Sequence, residues 1–429
     1  MSPVSERPLA PPAEPALSPD VDPATASFAA AFSSPFAPRF EEPRARRITL
    51  GGASPWEVLG LLAVVASLVA LAVVVLAPRG WLTREAGRFV DTRTVAQQGV
   101  PAAPAPSAAP AGAAQPASTG VWWSGVGAAD AVGVNGSWER WRGETVSMAG
   151  VWDNGNAQMV EMHSICPGGL WSRWNKPLDL AIGAIEARRG ETWAKAARGA
   201  YDARWRANLE RIKTCWAPRD AALLYIRFAH EMNLKDMPWQ VHGGEEADFA
   251  AALTRYSALR YQILPRANLV LCASDGTSAG LGIDLRKLWP GRDAAGRQVV
   301  QVYAVDSYNS WVVTHDAAEF EAKLTADQNG QPLGLEKHRL LAQQWGVPFA
   351  VAEWAGNGNP RDEGKGADLP IYYQLMNEWF RANAADPWHP KPGQLLYELY
   401  FNEQDRFTLL PTRFQPRSAQ QYRSLTWGR

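Results

Sequence analysis

An uninterrupted apolar segment near the N-terminus constrains this chain more than any other feature. Residues 58–77, VLGLLAVVASLVALAVVVLA, contain no charged side chain. At a rise of about 1.5 Å per residue, a helix of this length matches the ~30 Å hydrocarbon thickness of a bilayer. Ser54 is a suitable N-cap, Glu57 completes a capping box and Pro78 follows the segment. The sequence therefore predicts a transmembrane helix over residues 55–78.

The segment before this helix has the composition of a disordered tail. Residues 1–54 are rich in Pro, Ala and Ser and show no sustained apolar period. A cleaved signal peptide of about 15–30 residues would not carry so long a leading segment, so we expect an uncleaved anchor. Arginines 39, 44, 46 and 47 precede the span and arginines 79, 84 and 88 follow it. This small positive-inside bias favours a cytoplasmic tail.

A Pro- and Ala-rich stretch separates the anchor from the rest of the chain. Residues 101–119 read PAAPAPSAAPAGAAQPAST, which is typical of a semi-extended tether without a core. We therefore predict a linker over residues 79–119 and a globular domain over residues 120–429.

Within that domain, apolar runs alternate with amphipathic stretches, the pattern of βα units around a parallel sheet. Because the domain has room for seven or eight units and lacks a G-x-G-x-x-G turn after its first strand, we predict a (β/α)8 TIM barrel rather than an open sheet. The predicted strands are residues 145–151, 178–185, 222–228, 268–273, 299–305, 348–352 and 395–401.

Two glutamates follow predicted strands in a matched way. Glu231 follows the run LLYIRFAH, and Glu353 follows PFAVA. In a barrel of this kind, residues just after a strand lie at the C-terminal mouth, where active sites are built. Two carboxylates ~5–5.5 Å apart could protonate a glycosidic oxygen and attack the anomeric carbon, which gives hydrolysis with retention. We therefore predict Glu231 as general acid/base and Glu353 as nucleophile.

These two roles require different environments. Glu231 lies next to His230 and behind an apolar strand, so we expect its pKa to be raised. Glu353 must be ionised to attack, and Tyr308, at the end of the strand before it, is placed to donate its hydroxyl to that carboxylate. Taken alone, a strand-end Glu could equally cap a helix or pair with an arginine, and His230 could be an ordinary buried histidine.

Around these residues the sequence resembles glycoside hydrolase family 26, the family of endo-β-mannanases and related β-glycanases. The resemblance extends from about residue 133 to 404. It rests on Gly199-Ala200-Tyr201-Asp202, Arg227, His230-Glu231-Met232-Asn233, Pro290-Gly291, Asp306-Ser307-Tyr308 and Glu353-Trp354. It implies a (β/α)8 barrel, with Glu231 as acid/base, Glu353 as nucleophile and Tyr308 as the tyrosine that supports the nucleophile.

Further residues are predicted to bind or support the substrate. The polar ones are Arg227, His230, Asn233 and Asp306, and the aromatic ones are Trp239, Trp311 and Trp354, each of which follows a strand-end acid. The chain departs from the family pattern at Leu234, where glycine is usual, and at Tyr400, Phe401 and Asn402, where a tryptophan platform is expected. The resemblance therefore does not extend to mannan specificity.

Two other functions compete with this reading. Gly276-Thr277-Ser278-Ala279-Gly280 fits the G-x-S-x-G elbow of a serine esterase, but the elbow needs a long helix after it and Pro290 comes too soon. A non-catalytic polysaccharide-binding or export component could also keep the barrel. A zinc protease is excluded, because Leu234 occupies the position of the second His in H-E-x-x-H.

Composition and cysteine content limit which partners and which cellular compartment we expect. The 43 basic residues balance the 43 acidic ones, so the basic surface of a nucleic-acid-binding protein is not expected. The three cysteines, Cys166, Cys215 and Cys272, lack metal-site spacing, and we expect neither metal nor cofactor. If the domain is exported, Cys166 and Cys215 could form a disulfide.

The anchor predicts a periplasmic domain on a bacterial inner membrane. We expect this domain to act on an exopolysaccharide or with polysaccharide synthesis or export machinery.

Overall fold

The computed structural model describes residues 121–128, 132–153, 163–235, 237–275, 282–310, 313–362, 366–384 and 386–428. The predicted tail, transmembrane helix and linker, residues 1–119, lie outside these ranges. No helix within the described ranges is both long and apolar enough to cross a membrane.

Eight parallel strands close into a barrel, which confirms the predicted fold. The order around the barrel is β1-β8-β7-β6-β5-β4-β3-β2. The strands are β1 Trp123–Gly127, β2 Met148–Asp153, β3 Leu178–Ile182, β4 Leu224–Phe228, β5 Asn268–Ser274, β6 Val302–Asn309, β7 Phe349–Gly356 and β8 Leu395–Phe401. A short antiparallel pair, Asp327–Gln328 with Gln331–Pro332, lies outside the barrel.

Helices connect the strands. The α-helices of the described part are α1 Ser137–Arg142, α2 Trp193–Ala197, α3 Asp202–Trp216, α4 Glu246–Ile263, α5 Ala317–Leu324, α6 Leu335–Trp345, α7 Pro370–Asn383, α8 Gln404–Phe407 and α9 Pro416–Ser424. Short 3-10 helices occur at Ala187–Arg189, Ala221–Leu223 and Leu285–Leu288. The last of these stops before Pro290, so no long helix follows residues 276–280, as an esterase elbow would require.

Strand β1 is the barrel strand that the sequence did not predict. Its five residues, WSGVG, include two glycines and form no apolar run. The glycines have a packing reason, because a Cβ on Gly125 would lie 1.7 Å from the carbonyl oxygen of Met148 on β2. β1 and β2 approach closely here, and only glycine fits.

Strand β7 contains a β-bulge at the position of the predicted nucleophile. On β6, Val305 pairs with Val351 but Asp306 pairs with Glu353, so one extra residue of β7 is accommodated between them. A bulge re-aims the side chains that follow it. Glu353 therefore points into the barrel, and Trp354 points out towards the helices, the reverse of what strict alternation from Val351 would give.

The barrel strands lie between two apolar layers. One cluster fills the barrel interior and includes Met148, Tyr225, Val270 and Tyr397. The larger cluster lies between the barrel and the helices and includes Trp205, Leu209 and Tyr256. The sheet is therefore buried on both faces, as expected for a parallel barrel.

The two ends of the described chain meet at the N-terminal rim of the barrel, opposite the mouth. β1 begins there at Trp123, and Gly428 packs against the backbone of Trp122. The amide of Trp427 donates to a carboxylate oxygen of Glu144, just before β2, at 2.9 Å. Both ends are thus fixed on the same rim.

Cys166 and Cys215 form a disulfide, which confirms the suggested pairing. It joins the segment before β3 to the last turn of α3, across a sequence separation of 49 residues. Cys272 is a free, buried cysteine in the barrel interior.

Candidate active site

Glu353 accepts hydrogen bonds from three side chains at the barrel mouth. Its Oε1 accepts from Trp152 Nε1 at 2.6 Å and from Arg227 Nη1 at 2.8 Å. Its Oε2 accepts from the Tyr308 hydroxyl at 2.6 Å, the bond that the sequence predicted. The three donors together fix the orientation of the carboxylate.

Arg227 connects Glu353 to two further carboxyl groups inside the barrel. Its Nε lies 2.5 Å from Asp179 Oδ1, and its Nη1 lies 3.1 Å from Asp306 Oδ2. The side chains of Arg227, Asp179 and Asp306 are fully buried. Burial opposes the charge of Arg227, but the three carboxyl groups together raise its pKa. The guanidinium therefore stays charged and anchors the network.

Three carboxyl groups, those of Asp179, Asp306 and Glu353, share the single positive charge of Arg227. Burial and the neighbouring Glu353 hold the pKa of Asp306 well above its usual value. Burial also raises the pKa of Asp179, although Arg227 and the Tyr397 hydroxyl, which donates to its Oδ2 at 2.6 Å, oppose the shift. Burial therefore opposes the charged form of both aspartates.

Glu231 lies just beyond β4 in a left-handed backbone conformation. Its φ is 52°, as is that of Ala229, and neither residue is glycine. Such strain is held by surrounding structure and is common at functional sites. Here the amide of Glu231 donates to the carbonyl of Cys272 on β5 at 2.9 Å, and that of Ala229 donates to the carbonyl of Ile182 on β3 at 3.1 Å.

The environment of Glu231 favours its neutral form, as expected from the sequence. Burial, and secondly the nearby Glu353 carboxylate, raise the pKa of Glu231 to about 8. The side chain is 9% exposed and that of Glu353 is similarly buried. The two glutamates thus lie close enough for their charges to interact, and a hydrogen bond from the side chain of Ser274 only partly offsets the rise in the pKa of Glu231.

The residues next to Glu231 fix its loop. Asn233 Nδ2 donates to the carbonyl of Ser274 at 2.7 Å, and its Oδ1 accepts from the Ser274 amide at 2.8 Å. Trp239 Nε1 donates to the carbonyl of His230 at 2.7 Å. Burial, and then the charge of Arg227, hold the pKa of His230 well below its usual range, so the imidazole is neutral. Asn233 and Trp239 therefore position the loop that carries Glu231.

Trp152 and Tyr308, the two aromatic residues that donate to Glu353, both pack against a third aromatic ring, that of Phe401. Trp152 packs edge-on against Phe401, with ring centroids 5.3 Å apart, and Tyr308 packs against Phe401 at 5.5 Å. All three are partly exposed. Phe401 ends β8, where the sequence comparison led us to expect a tryptophan platform.

Two tryptophans predicted to line the mouth do not do so. Trp354 is fully buried behind the barrel, where it donates to Glu398 Oε2 at 2.5 Å. The bulge in β7 turns it outwards, so the prediction that it contacts substrate was wrong. Trp239 is also fully buried and cannot serve as an exposed platform. The remaining predicted tryptophan, Trp311, lies outside the described residues, as does Ser278.

Trp152, Asp179 and Tyr397 belong to the site but were missed from sequence. Trp152 follows directly after the predicted strand 145–151, and this strand-end position at the mouth was the available signal. Asp179 is a polar residue within an apolar strand, LDLAI, which also signals an inward-facing functional position. Within the described ranges, no group of three or more His, Cys, Asp or Glu side chains could hold a metal ion.

Fold and site together define a class of protein, a (β/α)8 barrel with two dissimilar glutamates at its mouth. No known family model and no curated protein sequence matches the chain. Among solved structures, it is similar to GH26C from Muricauda sp., with 12% identity, 71% of this chain and 85% of that chain covered, and a TM-score of 0.47. It is also similar to a hyperthermostable endo-1,4-beta-D-mannanase from Thermotoga petrophila, with 9% identity, 71% and 99% covered, and a TM-score of 0.45.

A third similar structure is CelM2, a bifunctional glucanase-xylanase from a metagenome library. It shows 10% identity, coverage of 67% of this chain and 75% of that chain, and a TM-score of 0.42. Similarity at this level gives no information on the substrate of this chain.

Proposed function

We propose that this protein is a retaining endo-β-glycosidase that hydrolyses a β-linked polysaccharide. The observation that carries the proposal is the contrast between the two glutamates. Trp152, Arg227 and Tyr308 each donate a hydrogen bond to Glu353 and hold its carboxylate in one orientation. Burial, and secondly the charge of Glu353, raise the pKa of Glu231 to about 8. A charged nucleophile beside a protonated acid is what the first step of retaining hydrolysis requires.

The proposed reaction has two steps, with a covalent bond between Glu353 and the sugar in between. In the first, a Glu353 oxygen bonds to the anomeric carbon, the glycosidic bond breaks, and Glu231 gives its proton to the departing sugar oxygen. In the second, Glu231 takes a proton from water, the water oxygen bonds to the anomeric carbon, and the bond to Glu353 breaks. Both carboxyl groups then return to their starting states.

The substrate we propose is a β-mannan-like polymer or an exopolysaccharide. The partly exposed rings of Trp152, Tyr308 and Phe401 support a sugar-binding mouth, because aromatic faces pack well against the apolar faces of sugar rings. The site lacks the expected tryptophan at the end of β8, so the polymer need not be mannan.

We further propose that the domain works outside the cytoplasm, tethered to a bacterial inner membrane. The apolar segment 58–77 and the Pro/Ala linker support an anchor, and the Cys166–Cys215 disulfide favours an oxidising compartment. A tethered glycosidase would act on a polymer made or exported at that membrane, alongside the corresponding machinery. Protease digestion of intact spheroplasts should remove the domain, and a protected domain would contradict this orientation.

The function is tested by hydrolysis of a panel of polymers with the full chain in mild detergent. The panel comprises β-mannan, mixed-linkage glucan, β-1,3-xylan and the polysaccharide secreted by the host. Glu353→Ala should abolish turnover, while Glu210→Ala, on the exposed face of α3, should leave it unchanged. NMR of the first products should show retention at the anomeric carbon.

Lack of turnover on every polymer would favour the binding or export function. In that case Glu231→Gln and Glu353→Gln should both leave any polysaccharide phenotype of the host intact. Products with inverted anomeric configuration would instead show that the protein is a glycosidase in which Glu353 is not the nucleophile.

A further inference from the structure

Trp152 is fixed in place at the barrel mouth by three contacts. Its Nε1 donates to Glu353 Oε1 at 2.6 Å, and its ring packs edge-on against Phe401. Its six-membered ring also lies over Gly127 at the end of β1, where an added Cβ would come within 2.7 Å of the indole. Glycine at this position therefore makes room for the tryptophan to reach Glu353 from β2.

The two oxygens of Glu353 are not equivalent. Each carboxylate oxygen can accept about two hydrogen bonds. Oε1 already accepts from Trp152 and Arg227, whereas the described residues supply Oε2 with a single donor, Tyr308. Oε2 thus keeps one lone pair to which no described residue donates, whereas both acceptor positions of Oε1 are taken.

We propose that Oε2 is the attacking oxygen and that Trp152 is a positioning residue whose N–H serves chiefly the second chemical step. This proposal rests on the retaining mechanism described above. In the first step Oε2 bonds to the anomeric carbon as the glycosidic oxygen leaves with the proton of Glu231, and Oε1 becomes the carbonyl oxygen of the ester. In the second step water attacks the anomeric carbon, its proton goes to Glu231, and the electron pair of the broken bond returns to Glu353.

The donors on Oε1 affect these two steps differently. In the first step the carboxylate loses its charge, so a donor on Oε1 helps by orientation but not by stabilising charge. In the second step charge returns to the carboxylate, and the Trp152 and Arg227 donors are already aimed at the oxygen that shares it. Removing the Trp152 donor should therefore slow the second step more than the first.

The experiment is pre-steady-state release of dinitrophenolate by the full chain. The probes are 2,4-dinitrophenyl glycosides of β-mannobiose, β-cellobiose and β-xylobiose, whose good leaving group makes the second step limiting. For Trp152→Phe we expect the steady-state rate to fall by about 10- to 100-fold, the range of one hydrogen bond to a charged group. The burst rate constant should change by less than about threefold.

Two further variants separate the role of Trp152 in the reaction from a role in folding. Gly127→Ala keeps the indole but displaces it, so it should reproduce the slower second step. Trp289→Phe alters a tryptophan that stacks on Trp345, with centroids 4.5 Å apart, and should leave both rates unchanged.

Equal slowing of both steps in Trp152→Phe and Gly127→Ala would overturn the assignment of Oε2 and leave Trp152 with a purely structural role. Absence of dinitrophenolate release by the unmodified chain from all three probes would instead overturn the glycosidase proposal itself. A loss confined to the second step in both variants would support the inference.

Discussion

Tyr308 on β6 donates its hydroxyl to Oε2 of Glu353 on β7 at a distance of 2.6 Å. The ring is held by Phe407, with centroids 4.7 Å apart, and Lys323 donates to the Tyr308 carbonyl at 2.8 Å. The hydroxyl is therefore delivered to the carboxylate by a side chain that is fixed at both its ring and its backbone.

Replacement of Tyr308 by Phe should lower kcat by about 10- to 100-fold, because one hydrogen bond to a charged group contributes about 1.5–3 kcal/mol. KM should change much less, since the bond orients the nucleophile. Steady-state kinetics on the active polymer would measure this. Tyr261→Phe, which removes a hydroxyl that donates to the Gln298 carbonyl on the protein surface, is the matched control. An unchanged kcat in Tyr308→Phe would exclude the support role.

The pH dependence of hydrolysis should report Glu231. Its pKa is raised from 4.5 to about 8, so it stays protonated, and able to act as an acid, until the pH rises through about 8. We therefore expect kcat/KM to decline on the alkaline side with a midpoint near that value. In Glu231→Gln this limb should disappear along with most of the activity. A limb near the ordinary carboxyl pKa would contradict the assignment.

Trp354→Phe should destabilise the fold but spare catalysis. The substitution leaves the buried Glu398 carboxylate without the donor that now lies 2.5 Å away and also opens a cavity, so we expect a loss of about 2–4 kcal/mol. Chemical denaturation would measure the loss, and kinetics below the transition should give the original kcat and KM. A higher KM with unchanged stability would place Trp354 in the substrate site after all.

Removal of the disulfide should lower stability without altering the site. Ser at both Cys166 and Cys215 is expected to cost about 2–4 kcal/mol, since the bond closes a long loop of the unfolded chain. The denaturation midpoint of the double variant should match that of the reduced original protein. Cys272→Ala, a buried thiol outside the disulfide, serves as the comparison and should not abolish the effect of reductant.

Ser278→Ala should leave polysaccharide turnover intact. The short 3-10 helix Leu285–Leu288 stands where an esterase elbow would need a long helix. Hydrolysis of the active polymer and of a simple aryl ester would test both chemistries together. Loss of polymer turnover in this variant would contradict the mechanism that uses Glu231 and Glu353.

The sequence predicted most of the barrel because seven of its strands are apolar runs of ordinary length. β1 was not predicted, because its sequence contains two glycines and no apolar run. The close approach of β1 to β2 requires glycine at position 125. Glu231, Glu353 and Tyr308 could be found because each follows such a run. Trp354 could not be placed correctly, since its direction depends on a bulge that is set by the register between β6 and β7 and not by local sequence.

One partner of Arg227, Asp179, and the tyrosine that donates to it, Tyr397, were equally hidden. Asp179 and Tyr397 are 218 residues apart in the chain and meet only when the barrel closes. Asp179 could have been noticed as a polar residue within an apolar strand, but no spacing rule links it to Tyr397. Trp152 lay one residue beyond a predicted strand and would have been found by asking which side chains face the mouth.

The meeting of Trp122 and Gly428 at the N-terminal rim has a practical meaning for handling a polymer. A support or a label joined next to Trp122 or Gly428 would attach on the side of the barrel away from Glu353. A long sugar chain could then enter, be cut and leave without passing the attachment point.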